Sequence, residues 1–416
     1  MLNRRECLRS TTAFLLAGDL GRQATLVAHE EDDVKPKSVA AITTVYYYNS
    51  HADVILGKIL EGWKQDGGAG PALDLASLYV DQFPDNDIAR ATCKKHSVPI
   101  FDSIEKAITV GSDRIPVDGV LSIGEHGTYP HNDIGQKMFP RRRFFEEITN
   151  TFEKYGRVVP VFNDKHLGPV WSDAKWMYER ARQLKVPFMA GSSMPVGYRK
   201  HEVTVPMDCE IEAAVGIGYS GLEKYGIHAL EFFQYHVERR RGAERGVKSV
   251  RFLEGSAMWK AVDDGVVSNE ALQAAFAVVP KQGNPDIRKD DEAKLFLFEY
   301  TDGLRGAVIM LGCVRGTAIG LKLKQQLKPI ATVFDERTTP RHPHFAYLLK
   351  AIERMIHRHQ PTYPVERTLL TSGILDRVLT SRSRDGELLE TPELGVRYQP
   401  VDYAHAPHVN LLSPPT

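Results

Sequence analysis

The sequence has 416 residues, with 53 lysines and arginines against 53 aspartates and glutamates, so its formal net charge is zero and the balance selects no polyanion such as a nucleic acid as partner. At 42% hydrophobic and 25% charged it has the composition of an ordered globular protein, and at about 100 to 200 residues per domain its length predicts two domains. No apolar run approaches the ~20 residues of a membrane span, and Cys7, Cys93, Cys209 and Cys313 are too scattered to read as a disulfide framework or a thiolate metal site.

The chain opens on Asn3-Arg4-Arg5-Glu6-Cys7-Leu8-Arg9 and a weakly apolar stretch from Ser10 to Gly18, which resembles a twin-arginine export signal and predicts a periplasmic or exported protein. Cys7 stands where phenylalanine is usual, and no clean cleavage site precedes the acidic Glu30 to Asp33. A basic N-terminal segment of a cytoplasmic protein is the alternative. Either way, residues 1–37 are a leader outside the fold.

From Ser38 strands alternate with helices. Val39 to Tyr48 is rich in β-branched and aromatic residues, and Asp53 to Gly62 places Val54, Ile55, Ile59 and Leu60 at helical spacing. Leu73 to Val80, Val98 to Phe101, Val117 to Ile123, Arg157 to Phe162 and Val186 to Ala190 are further strands. A helix from Pro140 to Gly156 puts Phe145, Ile148, Phe152 and Tyr155 on one face, and another starts at Ser172, its predicted N-cap. This pattern predicts an α/β, Rossmann-like parallel sheet over 38–192, with ligands at the carboxyl ends of its strands.

Over 193–390 the pattern becomes α+β. Strands at Val247 to Leu253, Leu295 to Tyr300, Arg305 to Leu311, Thr317 to Leu323 and Ala331 to Phe334 read as a meander, followed by amphipathic helices at His344 to His357 and Val365 to Thr380. An open, mostly antiparallel sheet with helices on one face is the expected solution, and its exposed face predicts a homodimer. The tail, 391–416, is Pro-rich and irregular.

The segment Val158-Val159-Pro160-Val161-Phe162-Asn163-Asp164-Lys165-His166-Leu167-Gly168, together with Phe188 to Gly191, resembles the Gfo/Idh/MocA oxidoreductases, in which a strand ends in Glu-Lys-Pro. Gly226 to Glu231 is similar to that family's H-x-x-D segment, Tyr300 to Leu304 to its sheet turn, and Pro364 to Leu370 to its C-terminal helix. The resemblance implies a Rossmann domain that binds NAD or NADP and a sheet domain that carries a sugar or polyol. It implies Lys165, His228, Glu231 and His131 as catalytic groups. Asp81, at the end of a strand, would take the cofactor ribose, with Gly124, Glu125 and Asp164 at neighbouring strand ends. A lysine or histidine near a cofactor takes a hydroxyl proton when burial or a nearby cation lowers its pKa. Without the resemblance, Lys165 reads as a solvated loop residue and His228 as a satisfied core histidine.

The sequence departs from the family in three places. The turn after the first strand, Thr43 to His51, holds three tyrosines and no glycine, whereas close approach to a pyrophosphate needs a glycine-rich loop. A dinucleotide therefore binds weakly or differently. Asp81 lies 39 residues beyond Ile42 (81 − 42), where about 20 is usual. Lys224 and His166 replace the family's acid and proline. An acid and imidazole cluster, Glu125, His126, His131, Asp164 and His166, offers a non-redox acid/base site instead, of lyase or hydrolase type, and no spacing marks it as a metal site. A non-catalytic carbohydrate-binding protein is the remaining alternative. Arg141 to Arg143 and Arg239 to Arg241 read as solvated helix surface.

Overall fold

The computed structural model describes residues 35–407, apart from 284 and 325. The arginine-rich leader, on which the export reading rests, lies outside the described residues, as do residues 408–416.

The first sheet is built from β1 (Lys37–Thr43), α1 (His51–Glu61), β2 (Leu73–Val80), α2 (Ala89–Lys95), β3 (Ile100–Phe101), α3 (Ile104–Thr109), β4 (Gly119–Ile123), α4 (Arg141–Tyr155), β5 (Val161–Asp164), α5 (Trp171–Gln183) and β6 (Phe188–Gly191). All six strands are parallel, in the order β3-β2-β1-β4-β5-β6, so strand order reverses between β1 and β4. Alternate residues of a strand face opposite sides. Ala40, Ile42, Val120 and Val161 pack against Phe144, Phe145, Ile148 and Phe152 on one face, and Val39, Ala41, Leu121 and Phe162 face Val54 and Ile55 of α1 on the other. Helix α1 starts where the Ser50 hydroxyl accepts from the Asp53 amide, and α4 stops at Gly156, whose φ of 64° ends it in the left-handed conformation. Helix α5 begins at Trp171 with no side-chain cap, one residue before the serine expected to start it.

The second sheet uses β7 (Arg199–Lys200), β8 (Ile211–Tyr219), β9 (Val247–Glu254), β10 (Lys294–Tyr300), β11 (Arg305–Leu311), β12 (Ala318–Leu323), β13 (Ile330–Phe334) and β14 (Leu389–Glu390). Its helices are α6 (Gly226–Val237), α7 (Gly255–Asp263), α8 (Asn269–Val278), α9 (His344–Arg358) and α10 (Glu366–Ser383). The order is β14-β9-β10-β11-β8-β12-β13-β7, open and mostly antiparallel, with β11 and β8 parallel. The expected meander is thus interrupted by β8, a strand that the sequence pattern does not reveal. Its glycines make room for its neighbours, and a Cβ on Gly218 would lie 2.8 Å from Ala229 of α6.

Two expectations are corrected. The sheet has helices on both faces: Met258, Val262, Ala271 and Leu272 of α7 and α8 pack on Val215, Ile217, Leu295 and Ile309, so the face expected to receive a second copy is covered by the chain itself. Helix α9 touches the second sheet only at its start, where His344 meets Phe334 of β13, and packs mainly on the first sheet. Its apolar stripe, including Leu348, Leu349, Ile352 and Ile356, completes the α1 side of the first sheet, where a Cβ on Gly119 would come within 2.9 Å of Ile356.

Candidate functional site

The carboxyl edge of the first sheet and the start of α6 enclose a cleft of about 380 Å³ lined by His51, His126, Lys165 and His228, among others. Lys165 follows β5 directly, in the left-handed conformation (φ 60°), with its amide donating to the Gly191 carbonyl at 3.2 Å. Its ammonium reaches Glu125 Oε1 at 2.8 Å, and Arg141 donates to Glu125 Oε2 at 2.7 Å. Burial opposes a charge on Glu125, yet Lys165 and Arg141 outweigh it and hold the carboxyl well below its ordinary range.

Arg141 is fully buried and also reaches His166 Nε2 at 3.2 Å. A guanidinium only donates, so Nε2 accepts and His166 Nδ1 donates to the Gly168 carbonyl, 2.8 Å away. Burial, then Arg141, push His166 down to about 3, and it stays neutral. Within the arginine run Arg141 is thus no solvated surface residue but organises the site, while Arg142 and Arg143 stay partly exposed, Arg142 paired with Asp173 and Arg143 with Asp81 and with Glu147 one helical turn on. Arg240 is likewise buried, between Glu244 and Asp302. Glu147 and Glu244 are partners that a local reading can pair, whereas Glu125, Asp173, Asp81 and Asp302 lie 16 to 62 residues from the arginines that meet them.

His228 enters the cleft from the first turn of α6, and its Nδ1 is buried with no hydrogen-bond partner. Burial and then the Lys165 charge push its pKa well down, so the imidazole stays neutral. Glu231, one turn on, does not line the cleft. It accepts from the Ser192 amide at 3.1 Å and from Thr368 Oγ1 at 3.4 Å, and burial raises its pKa. Gly191 (φ 121°) allows this approach, because a Cβ there would lie 2.7 Å from the carboxylate. Glu231 thus ties α6 to the end of β6 and fixes where His228 points.

The other predicted residues are placed apart from one another. His131 is exposed, in a turn bridged to Lys137, and lines none of the cavities described here. Gly124 is covered by the Arg141 stem, which a Cβ would meet at 2.8 Å. Asp164 is fully buried and bonds His51 Nδ1 at 2.6 Å. Asp81 is ringed by donors: the Tyr79 and Tyr129 hydroxyls, each at 2.7 Å, and Arg143 at 2.5 Å. No group of three or more histidines, cysteines and acids suited to a metal occurs among the described residues.

The residues at the dinucleotide edge do not fit a nicotinamide dinucleotide held in the Rossmann manner. Tyr46 is buried in the turn after β1. Asp53, in the first turn of α1, accepts from the Asn49 amide at 2.7 Å and from Arg341 at 2.5 Å, so a carboxylate stands where a phosphate would need free amides. Gln82 bonds both the amide and the carbonyl of Thr128 at 2.8 Å, tying the loop after β4 down over the end of β2.

His51, His342 and His344 also line the cleft. His51 stood among the residues just after a strand, and that position was its only signal. The other two arrive with α9, whose return to the first sheet no local pattern announces.

Several solved structures share this fold. GenD2 from gentamicin A biosynthesis, in complex with NAD, superposes with a TM-score of 0.55 at 10% identity, over 86% of this chain and 97% of its own. A probable dehydrogenase from Thermotoga maritima gives 0.54 at 11% identity, over 86% and 99%. Scyllo-inositol dehydrogenase from Lactobacillus casei, with bound NAD(H) and scyllo-inositol, gives 0.52 at 9% identity, over 86% and 99%. The chain has the fold of the Gfo/Idh/MocA-type inositol and sugar dehydrogenases. No protein-family model and no curated protein matches the sequence.

Proposed function

We propose that the cleft is an acid–base site for a sugar or polyol, in a protein of oxidoreductase-like fold. The observation that carries this reading is the convergence of Lys165 and His228 on one cleft, whose size is within the range of small-molecule sites. The neutral His228 imidazole is placed to hydrogen-bond a substrate hydroxyl, and Lys165, anchored on Glu125, offers its remaining N–H groups to a substrate oxygen. The filled turn after β1 and the donor-ringed Asp81 favour proton transfer without redox, as in a lyase or hydrolase.

Dehydrogenation of a sugar or polyol hydroxyl with NAD or NADP is the second reading, supported by the likeness to structures that hold NAD. One experiment separates the two. The protein purified under native conditions is analysed by mass spectrometry for a retained dinucleotide, then titrated calorimetrically with NAD, NADH, NADP and NADPH and with a panel of sugars and polyols. The expected result is no retained dinucleotide, dinucleotide affinities weaker than about micromolar, and saturable binding of a sugar or polyol. Tight dinucleotide binding returns the protein to the dehydrogenases. Export through the leader is a further proposal: replacing Arg4 and Arg5 by lysine should leave the protein in the cytoplasm, and unchanged fractionation would favour the cytoplasmic alternative.

A further inference from the structure

The turn that presents backbone amides to a phosphate in dinucleotide-binding folds here presents a side chain. His51 is the first residue of α1, and its Nδ1 lies 2.6 Å from Oδ2 of Asp164, the last residue of β5. Asp164 is fully buried, and its second oxygen has no hydrogen-bond partner. His51 lines the cleft, its ring set edge-on to His126 at 5.4 Å and to Phe345 at 5.0 Å, so packing limits its rotation. With Nδ1 committed to the carboxylate, Nε2 is the nitrogen left to meet a ligand. A buried carboxylate holding a single neutral donor is poorly compensated, and it becomes well compensated once that donor is an imidazolium.

We propose that His51 and Asp164 form a general-base dyad serving this cleft, with Asp164 as the positioning residue. The inference rests on the acid–base reading given above. In the step assigned to the dyad, Nε2 takes a proton from an O–H or C–H bond of the ligand. The electron pair of the broken bond stays on the ligand, a new N–H bond forms, and Asp164 offsets the imidazolium charge. Return of the proton to a ligand oxygen or to water restores the dyad. The competing view is a staple in which His51 only fastens α1 to β5.

Diethyl pyrocarbonate, which acylates an unprotonated imidazole nitrogen, tests the dyad on the full chain without knowledge of the substrate. Modification of His51 is followed by peptide mass spectrometry in the wild type and in Asp164→Asn. An asparagine amide donates to Nδ1 and moves the ring proton to Nε2, so the His51 rate should fall about tenfold or more, while the His96 rate, remote from the pair, serves as the control for folding. An unreactive His51, or equal rates in the two proteins, overturns the proposal. Nitrogen NMR of histidine-labelled wild type, with His51 assigned through His51→Gln, gives a second reading that needs no Asp164 variant: the Nδ1–H tautomer is expected, and the Nε2–H tautomer overturns it. Sugar and polyol titrations on the same preparations keep the two readings apart. A reactive dyad with no sugar or polyol binding removes the substrate class and leaves the dyad, whereas binding with an unreactive His51 does the reverse.

Discussion

Two stretches of one sheet edge behave in opposite ways. At the ends of β1 and β2 polar groups find partners within the chain: Asp81 has three donors, Gln82 takes both groups of Thr128, and Asp53 takes Asn49 and Arg341. At the end of β5 and the start of α6 buried valences are left over, on Asp164 Oδ1 and on His228 Nδ1. Both stretches are rich in charge, so charge alone does not mark a site. What differs is how well the carboxylates are satisfied: those of Asp81 and Asp53 hold two or three donors each, while Asp164 keeps one oxygen unpaired and so has capacity for a further donor.

The sharpest way to break this contrast is Arg141→Met, which removes one partner of the buried Glu125. We expect a loss of about 3–5 kcal/mol, read by urea denaturation, because a buried charge loses its compensation. A loss below about 1 kcal/mol would mean that the open edge is not organised around this arginine. Next in size, His228→Ala and Lys165→Ala should each lower turnover of the true substrate on the order of a hundredfold, about 2.7 kcal/mol of barrier. The circular dichroism spectrum should stay native, since Arg141 still holds Glu125. Full activity in both variants would move the chemistry elsewhere in the cleft.

Acidification sharpens the comparison further. His126 and His166 are held down to about 3, chiefly by burial, so between about 6.5 and 3 the unfolded chain binds more protons than the folded one. The stability they contribute is present above about 6.5 and lost as pH falls toward 3, at up to about 2 kcal/mol per histidine by pH 5. The melting temperature should therefore drop between pH 7 and pH 5, and a flat profile would mean that these rings are already charged in the fold. The smallest effect is expected on the closed edge. Tyr129→Phe removes one of three donors to Asp81, costs about 1 kcal/mol in a thermal melt, and leaves sugar or polyol binding unchanged.

The first sheet was legible because strands buried on both faces read as apolar runs, and Leu73–Val80 appears in the sequence with the bounds that it has in the fold. Strand β8 was not, since Gly216 and Gly218 weaken any strand pattern and serve packing instead. Lys165 and His228 could be named from short motifs and do share the cleft. The role of Glu231 could not be read from its motif, because the Ser192 amide that it holds lies 39 residues away. The His51–Asp164 pair spans 113 residues, and only the parallel sheet brings its members together. Arg141 carried the wrong local signal: beside Glu146 and Glu147 it looks like a helix surface, while its real partners, Glu125 and His166, lie 16 and 25 residues off.

The strands that end the second sheet, β7 and β14, are two residues long each, and both broad faces of that sheet lie under helices. An edge this short exposes few unpaired amides and carbonyls and makes a poor template for a foreign strand. The outermost strands of that sheet thus offer a foreign chain only two residues apiece along which to extend it.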